Sequence, residues 1–162
     1  MNPADFEGLL RSFLKAEVRF VVIGGVGAAL QGVTAQTYDL DLVLDPEAQN
    51  LERALGVLDE LDACLRQHLP GKTLRATRLD LEAHGAILMM TSLGPLDLLG
   101  RVATGWGHSE LLERSIRIEL DERTGIQVLD LAALIEIKER VGREKDLAVL
   151  PLYRRTLAER DS

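Results

Sequence analysis

An apolar run, Phe20-Val21-Val22-Ile23, ends on two adjacent glycines, Gly24 and Gly25, a short distance before Asp39-Leu40-Asp41. The run from Arg19 to Ile23 predicts a buried strand, which Gly24-Gly25 breaks into a helix over Val26 to Gln31. Backbone N–H groups at such a turn face outward and attract phosphate, and glycine lets the backbone come close. Asp39 to Leu44 predicts the next strand, with Asp39 and Asp41 on one face and Leu40 and Leu42 on the other. The two aspartates are then about 6.5 Å apart between Cα atoms, within reach of one Mg²⁺ or a pair of ions. The solvent face of an edge strand would also hold them. Asp is depleted in strands, however, and like charges there repel, so the pattern favours metal binding.

The remaining pattern is that of an α/β (α+β) domain with a mixed sheet, helices on one side and a C-terminal helical pair. Phe6, Leu9, Leu10, Phe13 and Leu14 have helical spacing within Ala4 to Lys15. Asp45-Pro46 is expected to start a second long helix whose apolar stripe runs Leu51, Ala54, Leu55, Leu58 and Leu61. Residues 66–84, which contain Pro70-Gly71 and the polar segment Lys72 to Arg78, show no clear period and carry no assigned chemistry. Ala86 to Thr91 and Leu96 to Leu99 read as a hairpin turned by Ser92-Leu93-Gly94-Pro95. Asp97 thereby falls between leucines, where an unpaired buried carboxylate costs several kcal/mol unless a metal or hydrogen bonds compensate it. An outward-facing Asp97 on a half-exposed strand is the alternative. Ser115 to Leu120 and Ile126 to Leu129 form a second hairpin, Asp130 caps a helix through Val141 that Gly142 ends, and Lys145 to Glu159 is the last helix despite Pro151.

A chain of 162 residues reads as one domain over 1–162, with a core of about 18–100 and a C-terminal hairpin and helices at about 108–160. With 46% hydrophobic and 28% charged residues, no apolar stretch near membrane-span length and no secretory pattern at Met1 to Glu7, a cytoplasmic protein with no membrane partner is expected. Cys64 is the single cysteine, so an internal disulfide and a cysteine-based zinc site are excluded, and it is expected in the core. His68, His84 and His108 are scattered without metal-ligand spacing. Trp106 is read as cover for the core in preference to a stacking platform for a base. The net charge of −7 argues against a broad nucleic-acid surface. Arg101, Lys138, Arg140, Arg143 and Lys145 form either a small basic patch near the carboxylates or a solvated helix face interleaved with Glu136, Glu139 and Glu144.

Gly24-Gly25, Gln31-Gly32-Val33, Thr37 and Asp39-Leu40-Asp41 together resemble the signature of the polymerase-β-like nucleotidyltransferase superfamily, in particular its small prokaryotic minimal and abortive-infection toxin-like branch. Gly94-Pro95-Leu96-Asp97-Leu98-Leu99 resembles the strand that carries the third carboxylate. Leu134-Ile135-Glu136-Ile137-Lys138 and Arg143-Glu144-Lys145-Asp146 resemble the Lys and Asp motifs of its C-terminal part. The resemblance spans roughly residues 18–150, with gaps. It departs at Ala35, where many relatives carry Arg two residues before the Thr.

The resemblance implies a nucleotidyltransferase fold and transfer of a nucleoside monophosphate from a nucleoside triphosphate such as ATP to a hydroxyl acceptor. The acceptor could be a transfer RNA, a protein or a small molecule, and the setting a defence system with a cognate antitoxin. It implies Mg²⁺, or Mn²⁺ in its place, on Asp39, Asp41 and Asp97. It also implies nucleotide binding by Gly24, Gly25, Thr37 and Lys138, with Asp146 orienting Lys138 or the acceptor. A module of the same fold that binds nucleotide or a partner without turnover is the alternative.

Overall fold

The computed structural model of the chain describes residues 3–66 and 73–162. The Pro70-Gly71 turn signal, His68 and the first residue of the Lys72 to Arg78 segment lie outside them. Among the described residues the strands are β1 (Phe20–Ile23), β2 (Leu40–Leu44), β3 (Cys64–Leu65), β4 (Ala86–Thr91), β5 (Gly94–Leu99), β6 (Ser115–Glu119) and β7 (Gly125–Leu129). The helices are α1 (Phe6–Lys15), α2 (Gly24–Ala29), α3 (Ala48–Glu60), α4 (Arg78–Glu82), α5 (His108–Glu113), α6 (Leu131–Val141) and α7 (Glu144–Arg160). The strands join into one mixed sheet in the order β3-β4-β5-β2-β1-β7-β6.

The central strands of the sheet are covered on both faces. Phe20 and Val22 of β1, Leu40 and Leu42 of β2 and Leu96 and Leu98 of β5 pack with Leu9, Leu10 and Phe13 of α1 and Ala54, Val57 and Leu58 of α3. The opposite parity, Val21, Ile23 and Val43, packs with Leu134 and Ile135 of α6 and Leu150 and Tyr153 of α7. Helices therefore lie on both sides, because β1 is buried along its whole length and has two apolar faces to cover. Asp39, Asp41 and Asp97 share the parity of Val43 and so face the C-terminal helical pair. Leu40, Leu42 and Leu96 are fully buried on the other side, each contributing about 1.5–3 kcal/mol by leaving water. A one-residue slip of β2 would exchange those leucines for aspartates, which pins the register.

Local chemistry sets the element ends. The Asp5 side chain caps α1 by accepting from the Gly8 amide at 2.8 Å. Asp45-Pro46 does not start α3 as expected. Asp45 instead accepts from Arg19 at 2.8 Å and from the Glu47 amide at 3.0 Å, and Glu47 takes the N-cap position. Glycine at Gly24, with φ +68°, ends β1, and α2 begins there, two residues earlier than the Val26 expected from sequence. Gly142 closes α6 in the left-handed region at φ +65°, as its position predicts. In the poorly periodic region, Thr77 and Asp80 form a capping box for α4. Cys64 is half-buried on the two-residue edge strand β3, paired with Met90, and not in the core, since an edge strand has a neighbour on one side only. Trp106 is partly buried against the second core cluster, with the Arg114 guanidinium 4.3 Å from its ring. No helix among the described residues is long and apolar enough to cross a membrane.

A candidate nucleotide and metal site

Strand pairing assembles the carboxylates. β2 and β5 run parallel with Asp41 directly beside Asp97, and β1 runs antiparallel to β2 with Ile23 beside Asp41. Gly24 and Gly25 follow Ile23, so the glycine turn and the acidic trio share one end of the sheet. One oxygen each of Asp39, Asp41 and Asp97 lies within 4.8 Å of the others. The three are half-buried or buried, Asp97 retaining 8% of its accessible surface.

Three like charges this close are poorly tolerated without a cation. Burial, then the charges of Asp39 and Asp97, push the Asp41 carboxyl up to about 8. Asp97 is also raised, by burial first and then by Asp39, although Arg66 opposes the shift. Hard oxygen donors held this close, their carboxyls raised by burial and mutual repulsion, fit a divalent cation such as Mg²⁺ or Mn²⁺.

Gly24 is required by contact as well as by backbone angle, and Gly25 by contact. A Cβ on Gly24 would run into the Asp41 carboxylate, in a left-handed conformation that already disfavours a side chain. A Cβ on Gly25 would stand 3.1 Å from the Thr37 Cβ. Thr37 Oγ1 is buried and has no hydrogen-bond partner among the described residues, an unmet polar atom beside the glycine turn.

The trio and the turn line a cavity of about 590 Å³ whose other wall is α6 and α7. Lys138 of α6 donates to Asp146 Oδ1 at 3.1 Å, and Arg143 donates to Asp146 Oδ2 at 2.7 Å. Burial alone would raise Asp146, but the Arg143 and Lys138 contacts outweigh it and hold this carboxyl below its ordinary range. Tyr153 lies beneath Lys138, its ring centroid 5.4 Å from Nζ, and its hydroxyl is pushed up to about 12 by burial and by Asp146 and Asp41. Arg101 and Lys145 also reach the cavity.

All eight positions singled out from sequence, Gly24, Gly25, Thr37, Asp39, Asp41, Asp97, Lys138 and Asp146, line this one cavity. Of the five basic candidates, Arg101, Lys138, Arg143 and Lys145 reach it. Arg140 does not line it and stays exposed. Sequence reasoning missed two residues. Tyr153 looks like any apolar position of α7, and Arg66 stands where periodicity fades. Arg66 donates to Asp97 Oδ1 at 2.6 Å.

The chain matches no protein-family profile and no curated protein. Solved structures do share its fold. TM1012 from Thermotoga maritima, a nominal nucleotidyltransferase, is 19% identical over 95% of this chain and 93% of its own, with a TM-score of 0.57. The lincosamide antibiotic adenylyltransferase LnuA, solved with lincomycin bound, is 13% identical over 94% of this chain and 98% of its own, with a TM-score of 0.63. The antibiotic-resistance factor ANT(2'')-Ia is 12% identical over 93% of this chain and 83% of its own, with a TM-score of 0.57. The fold is that of nucleotidyltransferases, as the motif resemblance implied.

Proposed function

We propose that this chain transfers a nucleoside monophosphate from a nucleoside triphosphate to the hydroxyl of a small molecule, with a divalent cation held by Asp39, Asp41 and Asp97. One observation carries the reading. A crowded carboxylate trio and a cationic wall of Lys138 and Arg143 line the same cavity, with the close-approach glycines Gly24 and Gly25 beside the trio.

The cation supplies neutralisation of triphosphate charge and polarisation of the acceptor hydroxyl. The backbone at Gly24-Gly25 admits phosphate oxygens closely, and Thr37 Oγ1, unpartnered, is free to donate to one of them. Lys138 offsets the charge that develops on the phosphates, and Asp146 fixes the Lys138 ammonium and the Arg143 guanidinium in place. In the reaction the acceptor hydroxyl would give up its proton with help from Asp97 as its oxygen bonds to the α-phosphorus, the bond to the bridging oxygen breaks, and pyrophosphate leaves with the electron pair.

Three facts support a small acceptor. The cavity has the size of a small-molecule site. The net charge of −7 opposes a long RNA surface. LnuA and ANT(2'')-Ia, which share the fold, are named for antibiotics. ATP is the first donor to test, since LnuA is an adenylyltransferase.

The test is thermal melting with Mg²⁺ and each of the four ribonucleoside triphosphates, followed by pyrophosphate release with hydroxyl acceptors. At a hundredfold excess over Kd the nucleotide should add about 2.7 kcal/mol, or roughly 5–10 °C. That rise should vanish in Asp39→Asn/Asp41→Asn. No shift with any triphosphate would sink the reading. Ala35, on the cavity wall where many relatives carry Arg, favours a second reading, a nucleotide-binding module without turnover. It predicts the melting shift without pyrophosphate release.

A further inference from the structure

Arg66 plays no part in the sequence motifs, yet among the described residues it is the cation in direct contact with the acidic trio. It follows edge strand β3, and its own amide donates to Leu88 O at 2.9 Å, which extends the β3–β4 ladder by one residue. From there the guanidinium makes two hydrogen bonds in fixed directions. One nitrogen donates to the backbone carbonyl of Met89 at 2.6 Å and the other to Asp97 Oδ1 at 2.6 Å. The Arg66 side chain is 28% exposed and that of Asp97 12%.

We propose that Arg66 is a positioning residue for the third carboxylate, holding one oxygen of Asp97 so that the other is presented to the cation shared with Asp39 and Asp41. The inference rests on the metal reading of the trio and adds to it a residue outside the motif.

The opposite role, a shield that must leave before a cation enters, fits the geometry less well. A shield needs a bond that lets go. Arg66 is tied to Met89 O, a main-chain acceptor in the middle of β4, and Met89 is fully buried. That tether does not depend on the charge state of the trio. A carboxylate also has two oxygens, and Arg66 engages one of them. Carboxylates that bind metals are commonly oriented by an outer hydrogen-bond partner, whose loss costs about 10- to 100-fold in metal affinity. The fork geometry of guanidinium is needed here, since a lysine ammonium at the same place could not span Met89 O and Asp97 with the same two directed bonds.

The experiment is Mn²⁺ binding to the full chain without nucleotide, read from the electron paramagnetic resonance signal of the free ion. Four proteins form a double-mutant cycle: wild type, Arg66→Ala, Asp97→Asn and the double variant. Melting without metal checks that each is folded. Expected are a rise in Kd of about 10- to 100-fold for Arg66→Ala and no further loss when Arg66→Ala is added to Asp97→Asn. Arg66→Lys should fall between Arg66→Ala and wild type.

Wild-type affinity in Arg66→Ala would overturn the proposal, and tighter binding would establish the shield instead. Additive losses in the double variant would also overturn it, because Arg66 would then act independently of Asp97. Should Arg66→Ala not fold, Arg66→Lys carries the cycle in its place, and failure of both to fold would make Arg66 a structural residue and end the proposal. Absence of Mn²⁺ binding by the wild type is a different result: it sinks the metal reading of the trio itself.

Discussion

The two walls of the cavity solve the problem of buried charge in opposite ways. On the sheet wall, Asp39, Asp41 and Asp97 crowd together, and Asp41 is driven up to about 8 by burial and by its neighbours. On the helical wall, Asp146 is more enclosed, at 2% exposure, yet lies below its ordinary range because Arg143 and Lys138 both donate to it. One wall is satisfied within the chain, whereas the other keeps three carboxylates against a single directly bonded cation, Arg66, among the described residues. The difference separates roles that residue type alone does not. An aspartate with two cationic partners positions those partners, whereas aspartates facing one another are poised to bind.

Removing the charges of the sheet wall should have the largest effect. Asp39→Asn/Asp41→Asn removes transition-state stabilisation worth several kcal/mol, so pyrophosphate release should fall on the order of a thousandfold. The same variant without metal should melt no lower than wild type, because the repulsion goes with the charges. A variant that keeps turnover would break the comparison. Gly24→Ala attacks the same wall by shape: its Cβ meets the Asp41 carboxylate, and φ +68° adds about 1–2 kcal/mol of backbone strain. Mn²⁺ affinity should drop at least about tenfold, with the Lys138–Asp146 pair intact.

The helical wall should respond in stability. Asp146→Asn removes the negative charge shared by Lys138 and Arg143 and turns one of its two acceptor oxygens into a donor, at a cost of about 2 kcal/mol, which is roughly a 4–8 °C fall in melting temperature with or without Mg²⁺. An Asp146→Asn protein that melts like wild type but loses Mn²⁺ would move Asp146 to the metal side and erase the distinction.

What could be read beforehand follows the same division. β4 and α6 were legible to the residue: Ala86 to Thr91 is a continuous apolar run closed by a turn and Gly142 ends α6, although Asp130 at the N-cap position makes no capping hydrogen bond and its carboxylate accepts from Arg160 at 2.8 Å instead. The trio was legible because Asp at alternate positions between leucines is physically awkward in a strand and so calls for a reason. The covering of both sheet faces was not, since the pairing of β1 with β7 joins distant segments that no local pattern links. Arg66 was hidden for a related reason. Its partner Asp97 lies on another strand, and β3 is only two residues long, too short for any periodicity. The start of α3 was misplaced because Asp45, a good cap by type, is drawn to Arg19.

The smallest expected effect is on pH dependence, and its sign distinguishes the walls. Burial and its acidic neighbours push the Asp41 carboxyl in the folded chain up to about 8, above its ordinary 3.8. Between those values the folded state holds a proton that the unfolded state has released, so metal-free stability should fall as pH rises across that window. Asp146 is shifted the other way. Its contribution is present above the unfolded carboxylate range and is lost as pH falls below it. The metal-free protein should therefore melt highest at weakly acidic pH and lose a few °C toward pH 8. Saturating Mg²⁺ should remove the decline on the alkaline side, because it favours the ionised trio, and leave the acidic limb unchanged. Melting curves across pH with and without Mg²⁺ read both limbs at once. A decline toward pH 8 that Mg²⁺ does not touch would mean that the trio is not where the cation binds.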